Sequence, residues 1–411
     1  MRGKHSTVIA NAASLYALQA INYLVPIFTF PYLIRVVGLE GFGRVSRVLA
    51  IIQVGVLFVN LSYNYTATAR IARIRDDLAE LSRVFWSVAA TRALLFVVTA
   101  SLLIGLTFVI PDWVEDRYVF IALLPLLAGE MLFPMWLFMG LERLGFVTIL
   151  NAVARAISIG LLVVLVRNHE DIVPAALVMA SPVFFTGLGS WTLLKRFGIS
   201  PRPTINATLM VETFSEAVRA FVGTLPSHIY ARGSMVMLGT LTNDLQFGLY
   251  AMAQRLAGII SSFVAPAAQS IYATICRAAE NDDTYESARQ KTLIAAYAVL
   301  MSVVVGVGIA APYILELIAG SPQILGTIYL RTMLPIVFFS GISVLMNLFI
   351  MATQKFRKLF YIYIVASSVF LAMAWPLTTL KGVPGMIITM VVVEGIVALG
   401  LVFISSKVSR R

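Results

Sequence analysis

The stretch from residue 22 to residue 43 decides the class of fold: Asn-Tyr-Leu-Val-Pro-Ile-Phe-Thr-Phe-Pro-Tyr-Leu-Ile-Arg-Val-Val-Gly-Leu-Glu-Gly-Phe-Gly. It begins as an apolar helix with prolines at 26 and 31, which favour a bend because proline removes a backbone donor and clashes with the preceding turn. Arg35 follows, and because arginine is costly in lipid we expect it to point into the gap beside the bend or into the headgroup region. Gly38, Gly41 and Gly43 then predict a turn. The stretch therefore predicts the wall of a cavity in a membrane.

The composition indicates a polytopic membrane protein. Of 411 residues, 59% are hydrophobic and 12% are charged, and the mean hydropathy of +0.89 is far above that of a soluble domain. Apolar runs close to the ~20 residues that cross a bilayer recur about twelve times. The predicted spans are 10–33, 45–64, 84–109, 118–140, 147–166, 172–193, 216–240, 246–273, 292–314, 328–351, 359–379 and 385–405. We expect an all-α fold of about twelve transmembrane helices.

The distribution of charge predicts the orientation. The net charge is +11, and most basic residues fall in alternate loops, as expected for loops that face the cytoplasm rather than for a nucleic-acid-binding surface. Both termini are therefore predicted to be cytoplasmic, together with residues 65–83, 194–213 and 275–291. The loop 65–83 is expected to form an amphipathic helix along the anionic cytoplasmic leaflet.

The sequence lacks the residues that enzymes of the common classes need. Cys276 is the only cysteine, and three scattered histidines form no metal-ligand cluster. No phosphate-binding glycine loop, zinc-protease motif or nucleophile elbow occurs. We therefore expect a transporter that needs no metal or other cofactor and draws its energy from a gradient or from the membrane potential.

The chain shows signs of an internal duplication. Phe42-Gly43 recurs as Phe247-Gly248, 205 residues later (42 to 247), and Leu137-Phe138 as Leu348-Phe349, 211 residues later (137 to 348). Chance similarity between apolar runs is the alternative. With the polar break at 194–213, the repeat predicts two six-helix bundles, residues 1–199 and 200–411, on either side of a central cavity.

Polar residues inside the spans are the candidates for the functional site, because they are expensive in hydrocarbon. Arginines outnumber acids there, so we expect a cationic cavity that binds an anion such as pyrophosphate through planar guanidinium groups. The predicted anion-binding residues are Arg35, Arg92, Arg155, Arg232 and Arg255. The uncharged residues predicted to line the cavity are Gln53, Asn60, Asn151 and Asn347. Glu130 and Glu394 are the candidates for carrying a coupling ion.

Each of these groups has an alternative role. The uncharged residues could form hydrogen-bonded seams between helices. The two glutamates could simply pair with arginines, which would give both partners a structural function.

The opening stretch also resembles a known family. Pro31-Tyr32-Leu33-Ile34-Arg35-Val36-Val37-Gly38, followed by Gly41-Phe42-Gly43, resembles the first-helix signature of bacterial polysaccharide-repeat-unit flippases, the O-antigen translocases. Ala69-Arg70-Ile71-Ala72 and Leu81-Ser82-Arg83 are similar to the same family's second cytoplasmic segment, and Val37 replaces the usual leucine. The likeness in sequence is specific over about the first 90 residues.

The resemblance implies a function and a location. It implies transfer of an undecaprenyl-pyrophosphate-linked oligosaccharide between the leaflets of the bacterial inner membrane, with the polysaccharide polymerase and the chain-length regulator as candidate partners and no nucleic acid. Two alternatives on the same fold are a multidrug antiporter, which should present an acidic cavity, and a lipid II-type flippase, which usually has fourteen spans. A glycan polymerase should carry a large periplasmic loop, and the predicted outer loops are short.

Overall fold

A computed structural model describes residues 2–200, 202–262, 282–352 and 356–408, with positions 264, 268, 271 and 275, and its description of side chains begins at Val25. These residues form helices and no strand, which confirms the predicted all-α class. The helices are α1 (Arg2–Asn60), α2 (Tyr63–Ile74), α3 (Leu78–Leu106), α4 (Pro111–Val114), α5 (Arg117–Leu132), α6 (Met135–Gly140), α7 (Leu144–Leu165), α8 (Ile172–Trp191), α9 (Ala207–Leu241), α10 (Asp244–Ser262), α11 (Asp282–Ala319), α12 (Ile324–Ala352), α13 (Phe356–Lys381) and α14 (Val383–Val408).

Most of these helices are suited to a membrane. Among the described residues, nine helical segments are long and apolar enough to cross a bilayer. Helices α9 and α10 have 35 and 19 residues but are not among the nine. They correspond to the predicted spans 216–240 and 246–273, of which the second extends beyond the described residues. The side chains of the first predicted span, 10–33, likewise lie largely outside the described part.

The chain folds as two compact units, Met1–Gly223 and Thr224–Arg411. The division falls inside α9, because Leu209 and Ala217 belong to an apolar core with Tyr63 and Ile71 of α2. The predicted boundary at 199/200 and the two six-helix bundles stay predictions.

The first helix is interrupted at a single residue. Gly38 has φ 77° and ψ 169°, whereas the helix continues through both prolines and resumes directly after Gly38. The predicted glycine turn is therefore one residue wide, and Gly41 lies in the resumed helix. Glycine is needed at 38 because its positive φ is strained for any other residue. A Cβ there would also lie 2.5 Å from Nε2 of the exposed His169, whose side chain would have to move aside. A bend at the prolines stays a prediction.

The predicted amphipathic helix over 65–83 is divided in the structure, because α2 ends at Ile74 and α3 begins at Leu78. Helix α2 is amphipathic, but protein rather than lipid covers its apolar face. Tyr63, Ala67 and Ile71 are at most 3% exposed and pack in one core with Phe85 and Trp136. The expectation that this face lies in the cytoplasmic leaflet is wrong. A helix with an apolar stripe buries it wherever a partner is available, and α6 supplies that partner through Gly140, where a Cβ would lie 2.5 Å from Ile71.

Helices α5 and α8 approach each other backbone to backbone. A Cβ on Gly129 would lie 2.5 Å from the backbone nitrogen of Phe184, and one on Gly187 would lie 2.5 Å from the Gly129 carbonyl oxygen. Small residues permit this close packing in membranes, where apolar burial gives little preference for one helix contact over another. The contact fixes the end of α5, on which the candidate site depends.

In the second unit, α12 is the central helix. It packs against α10, α11 and α14, and α14 also packs along α13. Tyr285 and Phe349 meet edge to face, with ring centroids 5.5 Å apart. This arrangement holds α11 against α12 at one end of the unit.

Candidate functional site

The first candidate site forms where α5 stops. Phe133 is extended, with φ −82° and ψ 106°, as expected for a residue that precedes proline. In a continuous helix the Glu130 carbonyl would accept a hydrogen bond from the backbone N–H of residue 134. Pro134 has no N–H, so this carbonyl needs another donor.

Arg92 of α3 supplies that donor. Its Nη2 donates to the Glu130 carbonyl oxygen, and its Nη1 donates to the Phe133 carbonyl oxygen at 3.0 Å. The guanidinium therefore caps the carboxyl end of α5, where the helix dipole also favours a positive charge. Arg92 is 2% exposed, so these bonds are made away from solvent.

The same guanidinium joins a side-chain network. Nη2 of Arg92 also donates to Oδ1 of Asn60, the last residue of α1, and Nδ2 of Asn60 donates to Oε2 of Glu130 at 2.9 Å. Three helices that are distant in sequence thus meet at one charged cluster. Asn60, Arg92 and Glu130 were all predicted from the sequence, and the structure brings them together.

The geometry of this cluster favours a structural role for Arg92 and Glu130, in which Asn60 joins the guanidinium to the Glu130 carboxylate. The arginine uses its two terminal nitrogens on protein acceptors, and the glutamate carboxylate accepts from Asn60. Nε of Arg92 is the exception, since it is buried and has no hydrogen-bond partner among the described residues. The substrate and coupling roles of these residues stay predictions. The spacing of Glu130 and Pro134, four residues apart, is the sequence signal that could have identified the cap.

A second polar cluster lies within the second unit. Glu394 of α14 is close enough to interact electrostatically with the hydroxyl groups of Tyr230 and Tyr363. Asn347 of α12 donates to the Tyr363 hydroxyl oxygen at 3.2 Å. Two predicted residues, Asn347 and Glu394, therefore share a site with two tyrosines that the sequence reasoning did not select.

The remaining predicted residues are dispersed. Arg35 is exposed, three residues before the break in α1. The half-buried residues are Gln53 on α1, Asn151 and Arg155 on α7, Arg232 on α9 and Arg255 on α10. The amide of Asn151 donates to the carbonyl of Val147 on its own helix, at 3.2 Å.

The sequence spacing predicts a polar stripe on one face of α7, formed by Thr148, Asn151, Arg155 and Ser158. Part of this stripe is a seam between helices. Ser181 of α8 donates its hydroxyl to Oγ of Ser158 at 2.7 Å. Ser158 in turn donates to the Ala154 carbonyl at 2.8 Å. The seam alternative therefore applies to this end of the stripe, and Arg155 lies less than one turn away from it.

Two ion-pair clusters were missed by the sequence reasoning. Nη2 of Arg47 donates to Oδ2 of Asp116 at 2.9 Å, and Arg44 pairs with the other carboxylate oxygen. Arg70 of α2 contacts Glu212 of α9 at 3.1 Å. These partners lie about 70 to 140 residues apart in sequence, so no local pattern signals them.

The pKa of one loop carboxylate, that of Asp171, lies below its ordinary value. The carboxylate of Asp171 accepts hydrogen bonds from the backbone N–H groups of Arg167 and Asn168, at 2.9 and 2.8 Å. These bonds stabilise the charged form and lower the pKa of Asp171. The loop that carries His169 over Gly38 is thereby ordered.

Comparison with known proteins identifies the family. A family model described as polysaccharide biosynthesis protein matches residues 8–278, about two thirds of the chain. The chain belongs to this family. The resemblance seen in the opening stretch is thereby confirmed, and so is the predicted class of membrane transporter.

Two relatives extend the match to nearly the whole chain. A protein of Escherichia coli (strain K12), provisionally named an O-antigen transporter, is 25% identical over 404 residues, which are 97% of this chain and 96% of that protein. A protein of Shigella dysenteriae with the same provisional name is 25% identical over 395 residues, 95% of this chain and 98% of that one.

Solved structures share the fold. The lipid II flippase MurJ, in an inward closed conformation, superposes with a TM-score of 0.70 at 11% identity, over 96% of this chain and 87% of that chain. A multidrug resistance transporter of the MATE family, inward-facing, gives a TM-score of 0.67 at 16% identity, over 95% of this chain and 94% of that chain. At these identities the likeness shows the fold alone.

Proposed function

We propose that the protein flips undecaprenyl-pyrophosphate-linked oligosaccharide repeat units, of O-antigen or a related polysaccharide, from the cytoplasmic to the periplasmic leaflet of the bacterial inner membrane by alternating access. The observation that carries the proposal is the similarity, over nearly the whole chain, to two relatives named as O-antigen transporters. The fold shared with a protein named as a lipid II flippase supports it, because that name states the movement of a lipid across a membrane.

The arginines support an anionic substrate. Arg92 donates to the end of α5. Half-buried Arg155 in the first unit, and Arg232 and Arg255 in the second, stay proposed ligands of anionic groups of the substrate, each considered within its own unit. Arginine suits this role because its planar fork binds phosphate oxygens in pairs. Arg232 and Arg255 are carried by α9 and α10, which are not among the nine segments of the described residues that are long and apolar enough to cross a bilayer.

The cluster around Glu394 is the proposed coupling site. A carboxyl group among tyrosine hydroxyls and an amide is suited to bind and release a proton. Glu130, in contrast, is held in the network of Asn60 and Arg92. We therefore assign coupling to Glu394 in preference to Glu130.

A multidrug antiporter is the second candidate, and the whole-length likeness to MATE-family structures favours it. Such a protein exports organic cations best from an acidic cavity. The excess of arginine over acidic residues in the spans favours the flippase.

The experiment uses a strain that lacks its own flippase and carries the gene cluster for this protein's glycan. Wild-type protein should restore the surface polysaccharide, Arg155→Ala should reduce it at normal membrane level, and Arg155→Lys should give an intermediate amount because lysine keeps the charge but loses the paired geometry. Arg219→Ala, at an exposed position on α9, is the matched control. Restoration of drug resistance without restoration of the glycan would favour the antiporter.

A further inference from the structure

The second unit carries an elongated groove that none of the residues discussed above occupies. Its apolar part encloses about 550 Å³ and is lined mainly by aliphatic side chains, among them Ile260, Val299 and Leu345. At one end it joins a second, also mainly apolar part of about 490 Å³, which shares Lys291 and Thr292 with it and adds Thr284 and Ser287. The groove is therefore apolar along its length, with one lysine and a few hydroxyl groups where the two parts meet.

Helix α11 forms the length of the groove. Residues 291, 295, 299 and 303 line it, and their spacing of four places them on one face of the helix. Twelve residues at 1.5 Å each make this face about 18 Å long. Ala296, Leu300 and Leu345 are 5–7% exposed and form the floor. Lys291 is exposed at the end that adjoins the segment predicted to be cytoplasmic.

The shape and charge match a single-chain anionic lipid. A methylene group occupies about the volume of a water molecule, ~30 Å³ in the liquid, so the apolar part holds on the order of 18 such groups, the volume of part of one chain. A phospholipid would bring two chains and leave one outside. The hydroxyl groups of Thr284 and Ser287 and the ammonium group of Lys291 are suitable donors to phosphate oxygens.

We propose that this groove binds the polyprenyl chain of the lipid-linked substrate while Lys291 and the hydroxyl groups of Thr284 and Ser287 bind its pyrophosphate on the cytoplasmic side. The site rests on the proposed function and deepens it, because it defines where the lipid part of the substrate is held before translocation. It does not include the arginines proposed above as ligands of the substrate.

The test measures binding of undecaprenyl pyrophosphate to the purified full-length protein by native mass spectrometry. Ala295→Trp fills the groove from its exposed edge and should weaken binding about tenfold or more, since it displaces at least two methylene groups. Ala298→Trp, at an exposed position of α11 outside the groove, is the matched control and should bind like the wild type. Lys291→Gln should weaken binding about fivefold, the value of one lysine against an anionic lipid, and Lys291→Arg should restore it.

The outcomes separate this inference from the proposed function. If Ala295→Trp binds undecaprenyl pyrophosphate like Ala298→Trp, the groove is not the lipid site, even where wild-type protein restores the surface polysaccharide. If phosphatidylglycerol competes at equal concentration, the site is a general anionic-lipid site and the inference is overturned. If Ala295→Trp loses both binding and export at normal membrane level while Ala298→Trp retains both, the inference is supported. Loss of export by wild-type protein would contradict the proposed function itself.

Discussion

Removal of Arg92 should destabilise the first unit. In Arg92→Ala the carbonyl oxygens of Glu130 and Phe133 and Oδ1 of Asn60 lose their donor, and the Glu130 carboxylate loses its positive charge nearby. A buried acceptor left without its donor typically costs about 1–3 kcal/mol of unfolding free energy, and the Glu130 carboxylate adds to this because the nearby positive charge is removed. We expect a lower membrane level and a lower melting temperature.

A double-mutant cycle separates two contributions of Arg92 to the unfolding free energy. One is its electrostatic interaction with the Glu130 carboxylate, and the other is its capping of the backbone carbonyls at the end of α5. Glu130→Gln removes the carboxylate but leaves the backbone carbonyls. The loss of unfolding free energy in the double variant Arg92→Ala/Glu130→Gln should therefore be smaller than the sum of the losses in the single variants, by roughly 0.5–3 kcal/mol. The remaining loss, about 1–3 kcal/mol for each buried acceptor without a donor, belongs to the cap at Pro134.

The assay is the melting temperature of a fluorescent fusion protein in detergent, together with its level in the membrane. Arg219→Ala is the control, because Arg219 is exposed on α9 and should change neither value. If Arg92→Ala accumulates and melts like the wild type but fails to export the glycan, Arg92 lies in the substrate path and the capping argument is refuted.

Three further changes test the packing and the ion pairs. Gly38→Ala should cost about 1–3 kcal/mol, because φ 77° with ψ 169° is a backbone conformation essentially restricted to glycine; a wild-type melting temperature would contradict the break in α1. Gly129→Ala should lower the melting temperature because its Cβ would meet the backbone of α8, whereas Gly105→Ala, whose Cβ meets nothing within 4 Å, should leave it unchanged or raise it. Asp116→Asn should cost about 1 kcal/mol, a small value because its arginine partners are partly exposed, and additivity with an Arg47→Ala change would argue against the pair.

The sequence predicted the helices better than the contacts between them. Span positions follow from long apolar runs, and the helical, amphipathic character of α2 follows from its periodicity. The partner of its apolar face does not, because the period is the same whether protein or lipid covers the stripe. In the same way, the sequence placed Arg92 and Glu130 in adjacent spans but could not choose between pairing and substrate binding.

Local sequence patterns do not identify the distant partners of the polar residues. Ser158 was predicted in a stripe, yet its partner Ser181 lies on the next helix and could be identified only from the packed structure. The pair of Arg47 and Asp116 joins residues 69 positions apart. The glycine at 38 was recognisable because a positive φ favours one residue type, but the side chain of His169 above it was not.

The most direct test of the central claim is translocation in proteoliposomes that contain the purified protein and a fluorescently labelled undecaprenyl-pyrophosphate-linked oligosaccharide. A reagent that destroys the label only in the outer leaflet measures the fraction that has crossed. Wild-type protein should carry the labelled lipid of the inner leaflet to the outer leaflet, where the reagent destroys its label. Arg155→Ala should slow this loss of label, and Arg219→Ala should not. Equal exposure in liposomes with and without the wild-type protein would contradict the claim that this chain flips lipid-linked glycans.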